Sequence, residues 1–366
     1  MTGRTRKRTN LGEVEAQTAV GKVIGAAIAF RQGHPVAIRN QRHWVMAQAV
    51  ETMDQDALRE LRAGVLLLAH PRATTLKIRI YTPEVVALPL EPEPTVECLR
   101  AIADPTFDLS EPMKGPFFPL RKELPVAFAA SVKLAKLAGL LPATVASTVE
   151  RVPAGVPQLS VDDVRNFERQ SIDTLKVVTR AHVPLEGAER AELVAFRARD
   201  GGPEHYAILV NAPPPHMPVL TRLHSECFTG DLLGSLKCDC GLQLRGAIKA
   251  ISQTGGGILL YLAQEGRGIG LTNKLRAYRL QDQGFDTSQA NERLGFESDE
   301  RLYGLAAKML GLLGYGAVRL LTNNPEKVAA LEAVGIKVTE RVRHHFPANA
   351  HNRAYLKAKA KAGHLL

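Results

Sequence analysis

The feature that most narrows what this chain can fold into is a change of rhythm near residue 174. Beyond it, short runs rich in β-branched residues alternate with stretches of helical spacing, punctuated by glycine and proline. TLKVVTRAHVPL (174–185), AELVAFRAR (191–199) and HYAILVN (205–211) read as successive strands, and PPPHMP (213–218) feeds a fourth, VLTRLHSEC. CGLQLRGAIKAISQTGGG reads as a helix closed by glycines, and GILLYLA (257–263) as a buried strand. QEGRGIGL (264–271) is a glycine-rich turn, and TNKLRAYRLQDQG a helix ending at Gly284. A further strand, AVRLLTNN (317–324), runs into a helix with Asn324 as N-cap, Pro325 at its first position and Gly335 just past its end. Such alternation argues against a bundle and predicts a mixed α/β or α+β domain.

The 366 residues suffice for two domains, each with its own core. The first half mixes helical spacing, clearest in FAASVKLAKLAGLL (128–141) ahead of Pro142, with proline-rich connectors such as LPLEPEPT (88–95) and SEPMKGPFFP (110–119). Domains 1–173 and 174–366 are therefore expected. No apolar run reaches the roughly 18 residues that span a bilayer. Glu13, Glu15 and Lys22 spoil a signal-peptide reading of VIGAAIAF (23–30), so a cytoplasmic protein is expected, without membrane contact. The net charge of +10 favours polyanionic partners: nucleic acid, a membrane surface or a phosphorylated small molecule. No zinc-finger, KH or RRM signature accompanies it, and aromatic residues for base stacking are few, which argues against nucleic acid. The basic runs RTRKR and KAKAKAGH at the two ends read as solvated tails.

Four cysteines in a reducing compartment point to metal or catalytic use rather than to disulfides. Three of them fall within HSECFTGDLLGSLKCDCG (224–241), spaced C-x10-C-x-C. Thiolates suit zinc, and three fill three corners of a tetrahedron. The spacing leaves three readings open. One is a catalytic zinc whose fourth corner holds a water with a pKa near about 7; the others are a structural zinc and simple packing. His224, Asp231 and Asp239 are candidates to close the site, and Glu226 to serve as an acid/base group beside it. His224-Ser225-Glu226 also matches half of the zinc nucleobase deaminase signature, but the required P-C-x-x-C is missing. Cys98, outside the cluster, reads as a small buried hydrophobe.

Together, RLHSECFTGD and SLKCDCGLQL closely resemble the zinc-site signature of GTP cyclohydrolase II, which opens the riboflavin pathway. The resemblance continues through QEGRGIGL, NKLRAY, LQDQGFDT, AN-x-x-LGF, LLTNNP-x-K and the tail NRAYLK, and covers about residues 174–366. It implies a mixed α+β catalytic domain acting as a homodimer. The reaction implied removes C8 of GTP as formate and releases pyrophosphate, leaving 2,5-diamino-6-ribosylamino-4(3H)-pyrimidinone 5′-phosphate. Zinc, one per subunit, is implied on Cys227, Cys238 and Cys240, and Mg²⁺ with the triphosphate. The nucleotide-binding positions carried over are Arg222, Leu223, His224, Ser225, Glu226, Gln243, Glu265, Gly266, Arg267, Thr287, Thr322 and Lys327. Asp299 matches a proton acceptor, Arg301 a nucleophile toward the α-phosphate, and Tyr278 a residue near the zinc implicated in ring opening. An electrostatic clamp is the milder role for Arg301. Outside the resemblance each feature has an ordinary reading: a glycine turn, a solvent-facing Lys327, a core-facing Tyr278, and in S-D-E-R a capped helix start.

The first half resembles a worn 3,4-dihydroxy-2-butanone 4-phosphate synthase in AIAFRQGHPVAI (27–38) and LAKLAGLLPA (134–143), implying an α/β domain. The acidic stretch that such a synthase needs for its metal is RNQRHWVMAQ (39–48) here, without a carboxylate. Its His-Thr-Glu-like run has become Ala127-Phe128-Ala129, and its Cys-Glu pair Ser147-Thr148. A Mg²⁺ site without carboxylates is not viable, so this half is expected to be a scaffold, dimerisation surface or regulator. Two other readings stand beside the leading one: a divergent cyclohydrolase acting on a related nucleotide, and a zinc-stabilised nucleic-acid or regulatory binder. A binder has no need of an open zinc corner together with Asp299, Arg301 and Tyr278.

Overall fold

The computed structural model describes residues 18–347 together with 352 and 360. The basic leader with Glu13 and Glu15, and the tail motif apart from Asn352 and Ala360, lie outside the described residues. The chain divides into two compact units. The first takes in the residues up to Ala73, Lys77–Ala103 and Met113–Phe167; the second Thr74–Leu76, Asp104–Pro112 and Glu168 onward. Among the described residues, no helix is long and apolar enough to cross a membrane.

The first unit is a six-stranded sheet of β1 (Val36–Asn40), β2 (His43–Ala49), β3 (Val65–Ala69), β4 (Val85–Pro89), β5 (Ala143–Val149) and β6 (Gln158–Ser160), in the order β4-β3-β5-β2-β1-β6. Only β1 and β6 run parallel; the other neighbours are antiparallel. Helices Ala19–Arg31 and Val126–Leu137 cover it, packing Val23, Phe30, Phe128 and Leu134 with Ile38, Val45 and Leu67 in one core. The helix expected over 128–141 stops at Leu137, because Gly139 takes φ 73 and leads the chain into β5. Cys98 is exposed, not buried. Its helix, Val96–Ala103, turns Val96, Leu99 and Ala103 inward, and helical spacing carries position 98 to the outer side.

In the second unit seven strands form one sheet: β7 (Lys176–His182), β8 (Ala191–Arg197), β9 (His205–Val210), β10 (Val219–Ser225), β11 (Gly257–Leu262), β12 (Ala317–Leu321) and β13 (Lys337–Val342). Their order is β13-β12-β10-β11-β9-β8-β7. β7 to β9 form an antiparallel meander, whereas β10 pairs in parallel with both β11 and β12. Central parallel strands are covered on both faces and need apolar residues throughout. Accordingly Val219 and Leu223 on one face of β10 pack with Ile258, Leu320, Met309 and Leu331, and Leu220 on the other with Leu259, Ala247 and Ile251. The two-residue period of a strand places Arg222 and His224 on the same face as Leu220, under the helix Cys240–Gln253.

The chain leaves β10 for β11 on one side and later returns to β12 on the other. The carboxyl end of β10 is thus a topological switch point, the place where open α/β sheets form a crevice. Gly257 keeps β10 and β11 in register, because a Cβ there would stand 2.3 Å from the Leu220 carbonyl oxygen and 3.1 Å from Ile251. Gly257→Ala should destabilise this unit by about 1–3 kcal/mol in chemical denaturation; an unchanged midpoint would show that the strands yield without strain.

Candidate active site

Cys227 lies two residues past the end of β10, and a single π-helical turn, Phe228–Leu232, returns the chain toward Cys238 and Cys240 at the start of the next helix. The three sulfur atoms lie within 4.8 Å of one another, with Cys227 and Cys238 3.8 Å apart. Two thiolates on a tetrahedral ion with bonds of about 2.3 Å stand about 3.8 Å apart, so the geometry fits zinc. Gly230 sits inside this cradle: a Cβ there would come within 2.8 Å of Cys238 Sγ and 3.0 Å of Cys227 Sγ. Its amide donates to Cys227 Sγ at 3.3 Å. Gly241 is equally constrained, with the Gly230 carbonyl 2.2 Å from where its Cβ would be. The thiol groups of Cys238 and Cys240, and then the ammonium of Lys274 at 3.0 Å, hold Cys227 toward the thiolate.

None of the three expected fourth ligands joins the sulfur cluster. His224 and Asp231 are engaged with each other: Asp231 receives His224 Nε2 at 3.0 Å, the Tyr261 hydroxyl at 3.1 Å and the Cys227 amide at 3.0 Å. Burial pushes the His224 pKa down against the pull of Asp231. A neutral ring that donates from Nε2 is left with Nδ1 as an acceptor. Asp239 instead accepts from Gln243, which in turn accepts from Arg222. Arg222 also donates to the Leu321 carbonyl at 2.9 Å, and burial brings its guanidinium down to about 10.

After β11 the glycine-rich turn takes left-handed backbone at Gly266 and Arg267, φ 63 and 64, and Gly268 passes the Glu300 carbonyl too closely to carry a Cβ. Glu265 is wholly engaged in internal bonds. It accepts from Lys274 at 2.7 Å, the Phe228 amide at 2.7 Å and the Gly266 amide at 3.0 Å. Glu226 lies nearby, and burial, then Glu265, raises its pKa. Lys274, Ala277, Tyr278 and Gln281 share one face of the helix Leu271–Asp282. The Tyr278 hydroxyl lies 3.3 Å from Thr229 Oγ1, and burial raises it to about 12, so the phenol stays protonated.

Residues 297–302 are not the helix start that S-D-E-R suggests; the helix begins at Tyr303. The Glu300 amide bonds instead to the Arg267 carbonyl at 3.0 Å, tying this loop to the glycine turn. Asp299 grips Arg301 through both carboxylate oxygens, with Nε at 2.8 Å, and accepts from Tyr303 at 3.2 Å. Burial pushes the Asp299 carboxyl up, but the Arg301 pair outweighs it and holds the group below its usual range.

These parts line one cleft. Every site residue named from the sequence lines it except Asp231 and Asp239, which are engaged in the internal bonds above, and Asp299, which stands behind Arg301. Lys327 is buried rather than solvent-facing, its ammonium 3.3 Å from the Leu223 carbonyl. Sequence reasoning missed Gly230, Lys274, Asn291, Tyr303 and His344. The glycine within T-G-D and the lysine within NKLRAY were visible but had no spacing to mark them. His344 follows β13, where nothing in the sequence signals a site; it donates Nε2–H to the Gln243 carbonyl at 2.9 Å, and burial brings it down to about 4. Among the described residues, three cavity-lining side chains keep a buried polar atom without a protein partner: Arg222 Nε, His224 Nδ1 and Asn291 Nδ2.

A sequence model of the family described as GTP cyclohydrolase II matches residues 176–343. A GTP cyclohydrolase-2 of Azospirillum brasilense is 47% identical over 365 residues, 95% of either chain. A riboflavin biosynthesis protein RibBA of Synechocystis sp. is 42% identical over 283 residues, 71% of this chain and 50% of that one. Among solved structures, a two-domain 3,4-dihydroxy-2-butanone 4-phosphate synthase from A. baumannii aligns with 88% of this chain and 99% of that one, at 15% identity and a TM-score of 0.33.

The cradle yields a direct prediction. Gly230→Ala should cost the purified protein most of its bound metal, measured by elemental analysis, while far-UV circular dichroism is preserved; full metal content in this variant would show that the cysteines move apart freely.

Proposed function

Because this chain belongs to the GTP cyclohydrolase II family and is an enzyme of riboflavin biosynthesis, we propose the full reaction: hydrolysis of GTP to 2,5-diamino-6-ribosylamino-4(3H)-pyrimidinone 5′-phosphate, formate and pyrophosphate. One observation carries the reading. The three thiols at metal spacing and the cations Arg222, Arg267, Arg301 and Lys327 open onto one cleft, so the ring and the phosphates of a single nucleotide are served together.

Cys227, Cys238 and Cys240 would hold zinc, which when bound supplies a Lewis acid with an open coordination position. Lys274 balances thiolate charge on one side, and Glu265 fixes that lysine. Tyr278, protonated at physiological pH, offers a hydrogen bond beside the sulfur cluster. Arg267, Arg301 and Lys327 bind the phosphates, Thr322 and Thr287 line the same cleft, and Mg²⁺ accompanies the triphosphate. The resting pair of Asp299 and Arg301 favours a clamp on the α-phosphate. A carboxyl held below its usual range is a weak base, so drawing a proton from a guanidinium would first require the pair to be pulled apart.

We assign this chemistry to residues 174–366 and read residues 1–173 as a synthase-like unit without synthase activity. Ala127 and Phe128 belong to the apolar core there, and Ser147 and Thr148 stand opposite Met46 and Val45 in the sheet. The resemblance further implies a cytoplasmic homodimer, which sedimentation would check.

Purified protein given GTP, Zn²⁺ and Mg²⁺ should release formate and pyrophosphate in equal amounts, and Cys238→Ser should bring both the metal content and formate release to background. Formate without pyrophosphate would instead indicate a divergent cyclohydrolase. Ribulose 5-phosphate with Mg²⁺ should give no dihydroxybutanone phosphate; its appearance would overturn the reading of the first unit.

A further inference from the structure

Asn291 is the cavity-lining residue that the reaction above leaves unexplained. It is 2% exposed, and its amide nitrogen has no acceptor in the protein. A buried donor without an acceptor is costly; Arg222 Nε shares the condition, and His224 Nδ1 is likewise a buried polar atom of this cleft without a protein partner. We infer that Asn291 donates to the exocyclic carbonyl oxygen of the purine and thereby selects guanine over bases that lack a carbonyl there; this rests on the GTP reading above.

The position supports the ring rather than the phosphates. Beyond the Cys227 thiolate and Lys274, a series of uncharged groups leads to Asn291. Cys227 Sγ lies 3.7 Å from Thr229 Oγ1, which lies 3.3 Å from the Tyr278 hydroxyl. Gln281, three residues on and on the same helix face, donates to Thr287 Oγ1 at 3.2 Å. Thr287 and Asn291 are four residues apart on the helix Thr287–Arg293, one turn above each other. Of the cations, Arg222 lies on β10 and Lys327 on the helix after β12, while Arg267 and Arg301 flank these two helices in sequence, in the glycine turn before them and the loop after them. If the carbon to be removed sits at the metal, the ring lies along the uncharged wall. Guanine presents a carbonyl oxygen where adenine presents an amino group, and an amide N–H matches only the former. The short helix is held firmly for this task, with Asp286 and Gln289 forming a reciprocal cap.

The test compares GTP with 2-aminopurine ribonucleoside 5′-triphosphate, which lacks that exocyclic oxygen. Dissociation constants for both are measured on the zinc-loaded full-length protein by rapid mixing, before turnover, with formate release followed in parallel. The wild type should bind GTP roughly tenfold to a hundredfold more tightly than the analogue. Asn291→Ala and the near-isosteric Asn291→Asp should weaken GTP by a similar factor while leaving Asn291→Ala binding of the analogue unchanged, so that the preference disappears. Equal weakening of both nucleotides by Asn291→Ala, or a wild type that does not distinguish them, would overturn the assignment and leave Asn291 a packing residue. Absence of formate from wild type would instead defeat the GTP reaction itself, and the binding comparison would still decide whether Asn291 reads the ring.

Discussion

The carboxylate of Asp231 ties three parts of the molecule together beside the cysteine cluster. It takes hydrogen bonds from His224 at the end of β10, from Tyr261 on β11 and from the amide of Cys227. A buried carboxylate so far from water persists only with its lone pairs occupied, and these three donors occupy them. The consequence is geometric. The turn after Cys227 is pinned to the central strands of the sheet, and Gly230 lets it close tightly enough for three sulfurs to meet. Without that carboxylate the cysteines would sit on a surface loop free to splay.

A second set of buried charges carries the same order outward. Lys274 bridges Cys227 and Glu265, and Glu265 in turn holds the amides of Phe228 and Gly266. The glycine turn is fixed to the loop of Asp299 through the Glu300 amide. The cleft therefore meets its substrate with donors already placed, and little reorganisation is left for the moment of reaction, which is where electrostatic catalysis gains most. Buried ion pairs contribute little net stability, so the sense of these lies in position rather than in holding the fold together.

Much of the second unit was legible because its signals are local. VLTRLHS opens with apolar residues on both faces, as a central parallel strand does, and Asn324-Pro325 caps a helix as those residues do elsewhere. The failures share one cause. S-D-E-R has the composition of a helix start, yet its backbone bonds to the glycine turn more than thirty residues away, and the helix waits until Tyr303. Lys327 looks like a surface lysine until the helix that carries it docks over the end of β10. His224 and Asp231 have the chemistry of metal ligands, but each has the other as its partner.

What the sequence by itself determined is the chemical inventory and its family: three thiols at a recognisable spacing, the cations for a triphosphate, and an alternating pattern that admits only a mixed sheet. Only the tertiary structure decided which of those groups face one another. Charge pairing and ligand choice depend on distances of a few ångströms across chain separations of tens of residues, and local propensity holds no information at that range. That is why Asp231 serves the cysteine turn, Glu265 serves Lys274, and the amide nitrogen of Asn291 is left without an acceptor among the described residues.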